Sequence, residues 1–191
     1  MKKIFLTIAL LSVAVLQMAA SVPVKAVMKD FSGIYNKYKD RPLVSAVYVS
    51  KSLLDIFQYA IENDTVANKF VVDEADLSPF IEAAGKLSCV YILSSDILNP
   101  ATELMSDISN YINENRGRLQ ELMKQSDGVD DVTFYYDSPD KEHIKEFLMV
   151  RKTRAGYSDS FMSVTVIQLE AESLTLSDVI KMTVSVFNDK E

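Results

Sequence analysis

The sequence predicts a two-layer α+β domain: a mixed sheet that ends in an antiparallel three-strand meander, with helices packed on one face. Three observations predict it. Apolar residues recur at helical spacing in several segments, as Phe31, Ile34, Tyr35 and Tyr38 do. Short β-rich runs lie between those segments, such as Val44 to Val49. Toward the C-terminus three such runs follow one another, separated only by turn-forming residues.

The elements follow in chain order. Val27 to Tyr38 reads as a helix, ended by Arg41-Pro42, because the residue before a proline is driven out of the α region. Val44 to Val49 reads as a strand. Ser50 stands as the N-cap of a helix through Ala60, with Leu53, Leu54, Phe57 and Ile61 on its apolar face. Glu62 to Lys69 is polar and reads as a loop, and Phe70 to Val72 as a short strand. Ser78-Pro79 starts a brief helix that stops at Gly85, and Ser88 to Leu93 is the next strand. Asn99-Pro100 repeats the start signal. Leu104, Ile108, Tyr111, Ile112, Leu119, Leu122 and Met123 then mark one or two helices, with a break at Gly117.

After a turn-rich link over Ser126 to Asp131 come the meander strands: Val132 to Tyr136, Ile144 to Arg151 and Ser160 to Leu169. Ser138-Pro139-Asp140 and Ala155-Gly156-Tyr157 supply their turns. Thr175 caps a last helix over Leu176 to Phe187, with Asp178 placed for a capping box. Leu43 to Val49 and Lys86 to Ile92 echo one another, both being strands that lead into helices.

The N-terminus has a different character. Lys2 and Lys3 precede an apolar run from Ile4 to Leu16, and small residues follow it. That run is shorter than the ~20 residues that span a bilayer and matches the apolar region of a signal peptide. Ala19-Ala20-Ser21 fits the peptidase pockets and places the cut between Ser21 and Val22; Val24-Lys25-Ala26 is a second site. The expectation is a leader over 1–21, a single domain over 22–191, and a periplasmic or secreted protein. No cysteine follows the junction to take a lipid, so no lipid anchor is expected.

Removing the leader takes the formal charge from −7 to −9, and 170 residues remain, enough for one domain with a sizeable core. An acidic chain without clustered Lys and Arg is a poor nucleic-acid binder. One cysteine, Cys89, allows no internal disulfide. It sits in the apolar run Cys89 to Leu93 and reads as a small buried hydrophobe.

No residue pattern marks a catalytic, cofactor or metal site. Asp73, Glu74 and Asp76, like Asp127, Asp130 and Asp131, lack the alternating spacing and central glycine of a calcium loop. His143, the single histidine, reads as an exposed hairpin residue. The five glycines lie too far apart for a phosphate-cradling loop. Glu146 is the unusual placement. Alternation puts it on one strand face with Ile144 and Leu148, which calls for an edge strand or a cross-strand Lys or Arg. Tyr48, Tyr91, Tyr135, Tyr136 and Tyr157 are numerous for a chain without tryptophan, and Tyr135 and Tyr136 must point to opposite faces.

Four segments together resemble the family DUF4252, a domain of unknown function in exported proteins of Bacteroidota. They are Val47 to Lys51; Leu77 to Phe80 with Val90 to Leu93; Val132 to Tyr136 with Ile144 to Val150; and Leu174 to Ile180. The resemblance spans about Phe31 to Phe187. It implies an envelope protein with no assigned activity and supplies no functional residue. Some relatives are lipoproteins, a pattern this chain lacks. Asp64-Thr65-Val66 resembles the O-glycosylation acceptor of exported Bacteroidota proteins, which makes Thr65 a candidate modification site. The expected function is a non-enzymatic binding or interaction protein of the bacterial envelope, with an unknown envelope protein or small ligand as partner. The alternatives are a periplasmic carrier of a small apolar ligand and, third, a hydrolase using carboxylates.

Overall fold

The computed structural model describes residues 30–62, 83–154 and 161–181. Outside them lie the leader and its junction at Ser21 and Val22, Thr65, the strand expected over 70–72, Asp73, Glu74 and Asp76, the Ser78-Pro79 helix start, Tyr157 and the last helix beyond 181.

Helix α1 covers Phe31–Tyr38. Its start is set by Asp30, whose backbone is extended and whose carboxylate accepts from the Gly33 N–H at 3.0 Å. The sequence reading began this helix at Val27 and missed that cap. Strand β1 is Ser45–Ser50 and helix α2 follows without a break at Lys51–Glu62. Residues 83–84 are helical and stop at Gly85, as expected. A Cβ at Gly85 would sit 2.0 Å from the end of the Gln58 side chain of α2, so a larger residue there would make that side chain move.

Strand β2 is Leu87–Ser95 and helix α3 is Leu98–Glu114. Its N-cap is Ile97, not Asn99; Pro100 is tolerated because first-turn N–H groups have no partner inside the helix. Strands β3 (Gln120–Ser126), β4 (Asp130–Asp137), β5 (His143–Arg154) and β6 (Phe161–Thr175) complete the sheet.

The sheet has six strands in the order β1-β2-β6-β5-β4-β3. The α+β class is as the sequence predicts, but every pairing is antiparallel where a mixed sheet was expected. A single crossover helix would have returned a parallel strand. Here the chain leaves β1 along α2 and re-enters β2 at the same end, with Ser50 opposite Cys89. The two echoed segments are therefore antiparallel neighbours, and Tyr48 lies opposite Tyr91.

The meander has four strands rather than three. Leu122 and Met123, read as helical from their spacing, lie on β3, with Leu119 just before it. Asn115 ends α3 first: its carbonyl accepts from the N–H groups of both Arg118 and Leu119, which turns the chain out of the helix. The next turn needs Gly128, which holds φ at +88°, while the Asp127 carboxylate accepts from the N–H groups of Val129 and Asp130.

Helical residues cover both faces of the sheet, not one. Leu148 and Val150 of β5 join Phe31, Ile34 and Tyr38 of α1 and Leu104, Ile108 and Tyr111 of α3 in one apolar cluster. Phe147 and Met149, which alternation sends to the other face, pack with Leu54 of α2, Ala83, Ala84 and Val179. The sequence reading placed all helices together because an amphipathic stripe identifies a buried face but not which side of a sheet it meets.

The last helical residues, 176–181, begin with the expected capping box. Asp178 accepts from the Thr175 N–H at 2.9 Å and hydroxyl at 2.7 Å, and Asp178 N–H donates to the Thr175 hydroxyl at 3.3 Å. Lys86 donates to the same carboxylate at 2.8 Å. Burial pushes the Asp178 carboxyl up, but Lys86 and Thr175 outweigh it and hold the group at about 2. The folded value is depressed, so the stabilisation is complete above pH ~4 and fades as pH falls toward ~2; it amounts to about 2 kcal/mol. Asp178→Asn should thus cost about 2 kcal/mol at pH 6 and roughly half that at pH 3, as measured by urea unfolding. An equal cost at both pH values would show that the carboxylate charge is not what stabilises the cap.

Candidate functional site

One row of side chains runs across four strands on the face covered by α1 and α3. Cys89 of β2 is opposite Glu170 of β6, Glu170 is opposite Glu146 of β5, and Glu146 is opposite Asp137 of β4. Three carboxylates are thus neighbours along the hydrogen-bonding direction, where like charges repel. A cleft of about 390 Å³ opens over this row, lined also by Asp30, Phe31, Ser88, Tyr111, Arg118 and Lys145.

Glu146 is 5% exposed. Burying a carboxylate is costly unless it is paired and hydrogen-bonded. Tyr111, on the last turn of α3, donates its hydroxyl to Glu146 Oε1 at 2.6 Å. Arg118 donates to Glu146 Oε2, to Asp137 at 3.1 Å and to the Tyr111 hydroxyl at 2.8 Å. The Arg118 Nε donates to Asn115 Oδ1 at 2.9 Å, and Asn115 Nδ2 donates to the Tyr111 carbonyl at 2.8 Å. The α3 C-terminus and the turn after it form a frame that aims one guanidinium at two carboxylates.

Burial works against the Arg118 charge, but Glu146, with Tyr111 and Asp137, outweighs it and pushes the guanidinium up. Burial, then the Glu146 carboxylate, pushes the Tyr111 hydroxyl up as well, so it stays a donor.

Glu146 corrects the sequence reading in two respects. Strand β5 is interior, and the partner is neither cross-strand nor on an edge but on the turn after α3. Moreover, Ile144 does not share its face. The register shifts between Ile144 and Glu146, and Ile144 packs with Phe147 in the opposite cluster. What the sequence reading missed is Arg118, Tyr111 and Asp137; the one signal available was that a carboxylate amid apolar strand residues needs a cation.

The other candidates resolve into structural roles. Cys89 is buried, and burial followed by the nearby Glu170 pushes its thiol up to about 11, far from a reactive thiolate. His143 is exposed on the hairpin, as expected, and its ring Nδ1 lies 2.8 Å from Asp140, which raises its pKa. Asp130 accepts from Arg151 at 2.6 Å and Thr153 at 2.6 Å, and Asp131 accepts from Arg154 at 2.7 Å, so these acids fasten β4 to β5. Among the described residues no cluster of three His, Cys, Asp or Glu is placed to hold a metal, and no described helix is long and apolar enough to cross a membrane. Tyr135 and Tyr136 do face opposite ways, each against a different apolar cluster. A second cleft, of about 500 Å³, lies at the far end of the sheet and is lined mainly by hydroxyls, among them Ser45, Ser94 and Thr165.

The Glu146 network makes a specific expectation. Arg118→Leu strands a buried carboxylate and should cost about 3 kcal/mol. In a Glu146→Gln background the same change should cost only about 1 kcal/mol. Urea unfolding of the four proteins measures the difference; equal costs in the two backgrounds would show that the pair is uncoupled.

Comparison with known proteins returns one family. No curated protein and no solved structure matches the chain. The family described as "Domain of unknown function (DUF4252)" matches residues 38–182, from the last residue of α1 past Asp178. That span holds all six strands and every member of the Glu146 network, and the chain accordingly belongs to the DUF4252 family.

Proposed function

We propose that the chain is an exported, non-enzymatic binding or interaction protein of the bacterial envelope, and that the cleft over the Glu146 row receives its partner. Export rests on the Lys2-Lys3 pair, the apolar run and the small residues Ala19, Ala20 and Ser21 before Val22. One observation carries the binding reading. Glu146 is committed to Tyr111 and Arg118, whereas Glu170 and Lys145 at the same cleft have no ion-pair partner among the described residues. A general base must be free to take a proton. The carboxylate best placed to be one is instead a fixed acceptor. The cleft lining also carries two carboxylates, Asp30 and Glu170, and the ammonium of Lys145, none of them in an ion pair among the described residues, and charges of both signs suit a polar partner held by complementary charge.

The alternative is a carrier of a small apolar ligand. It needs an apolar cavity; the cleft over the Glu146 row mixes charged side chains with Phe31, Tyr111 and Ala171, and the second cleft mixes hydroxyls with Leu43, Val44 and Val164.

The test is capture with crosslinking from the native envelope, comparing the wild-type chain with a Glu170→Lys, Lys145→Glu double variant. The expected result is a reproducible partner that the wild type retains and the charge-swapped variant loses at unchanged melting temperature. Failure to capture any partner, or capture indifferent to the swap, would overturn the reading.

A further inference from the structure

The two edges of the sheet are not alike. Edge strand β3 reads Gln120–Ser126, carries Glu121 and Lys124, and has a register shift between Glu121 and Met123. Charges and bulges of this kind block pairing with another chain. Edge strand β1 has neither device. From Pro42 to Ser50 there is no charged residue, and no proline falls within Ser45–Ser50. Its pairing with β2 runs through six consecutive residues without a shift. No described strand lies beyond it. Val47 is 44% and Tyr48 48% exposed, and on α2, which leaves the strand directly, Leu53 and Ile56 are 40% and 61% exposed.

We propose that β1 pairs antiparallel with β1 of a second copy, extending the sheet across a two-fold axis at Val47. The register follows from hydrogen-bond geometry. Along an edge, alternate residues point their N–H and C=O outward, and residues directly opposite in an antiparallel ladder present the same groups. Two identical strands therefore align only if the axis passes through a residue, not between two. An axis at Val47 overlaps residues 44–50, a stretch without charge. An axis at Tyr48 would instead draw Lys51 into the ladder.

At Val47 the side-chain pairs are compatible. Val47 meets Val47 of the second copy, and Ala46 lies opposite its Tyr48, a small residue facing a large ring. Tyr48 already packs on Tyr91 and Tyr35, with ring centroids 5.0 Å and 6.1 Å away, so its ring is held in place before association. A self-pairing strand needs no like charges brought together, and this overlap brings none. The occupant is thus a second copy of the chain: the same uncharged surface serves both sides, as a two-fold interface requires.

Sedimentation velocity of the protein expressed as its full 191-residue sequence tests the pairing. The expected result is a monomer–dimer equilibrium with a dissociation constant below about 100 µM. Val47→Lys should weaken it at least about tenfold while leaving the melting temperature of the monomer unchanged. Val47→Cys should form a reducible disulfide dimer, because directly opposed antiparallel residues lie within disulfide range. Ile180→Cys, equally exposed but on the C-terminal helical residues, should not. A protein that stays monomeric, a dimer indifferent to Val47→Lys, or crosslinking at position 180 instead of 47 would overturn the proposal.

Discussion

A carboxylate on an interior strand of an antiparallel sheet, beneath two helices, has to be neutralised in place. In this fold that requirement falls on Glu146. Water cannot supply the counter-interaction at 5% exposure, so the protein must. The supply comes from the end of α3. Tyr111 on its last turn, Asn115 at its cap and Arg118 in the turn beyond it form one connected set. The place where α3 stops, the direction in which the chain turns toward β3 and the closure of the cleft floor follow from that set. A helix one turn longer would carry Arg118 out of reach of both Glu146 and Asp137.

The rest of the architecture is arranged around that row. Strand β6 pairs with β2 on one side and β5 on the other, so it joins the β1–β2 hairpin-like pair to the four-strand meander. One face of the sheet holds α1 and α3 over an apolar cluster that ends at the charged cleft. The other holds Leu54, Ala83, Ala84 and Val179 over Phe134, Phe147 and Leu169. Within one molecule, a row of carboxylates thus lies at one end of one face, and an uncharged strand is left at one edge. The first is suited to a polar partner and the second to a like chain, and neither occupies the other's residues.

Much of the fold was legible in the sequence where a single local rule applied. The periodicity of Phe31, Ile34 and Tyr38 marked α1's buried face. Alternation and turn residues marked β4 and β5, and Thr175 with Asp178 marked the capping box. Cys89 was legible as a buried side chain from the apolar run around it. Rules failed where two readings fit the same letters. Leu119, Leu122 and Met123 have helical spacing, yet Leu122 and Met123 lie on edge strand β3, where a register shift between Glu121 and Met123 breaks the two-residue alternation. Ile144 and Glu146 are two apart, yet a register shift separates their faces.

The candidate site was half legible. Glu146 stood out because a charge among apolar strand residues violates the pattern around it. Its partners did not, since Arg118 and Asp137 lie 28 residues before it and nine before it, on a turn and a neighbouring strand. By itself the sequence determined the helices and strands whose side-chain period is set by backbone geometry, the α+β class and the family. Only the tertiary structure decided strand direction, the sharing of helices between two faces, and the meeting of Tyr111, Arg118, Asp137 and Glu146. Those depend on which distant surfaces bury one another and on how a buried charge is neutralised, and neither is encoded within a window of neighbouring residues.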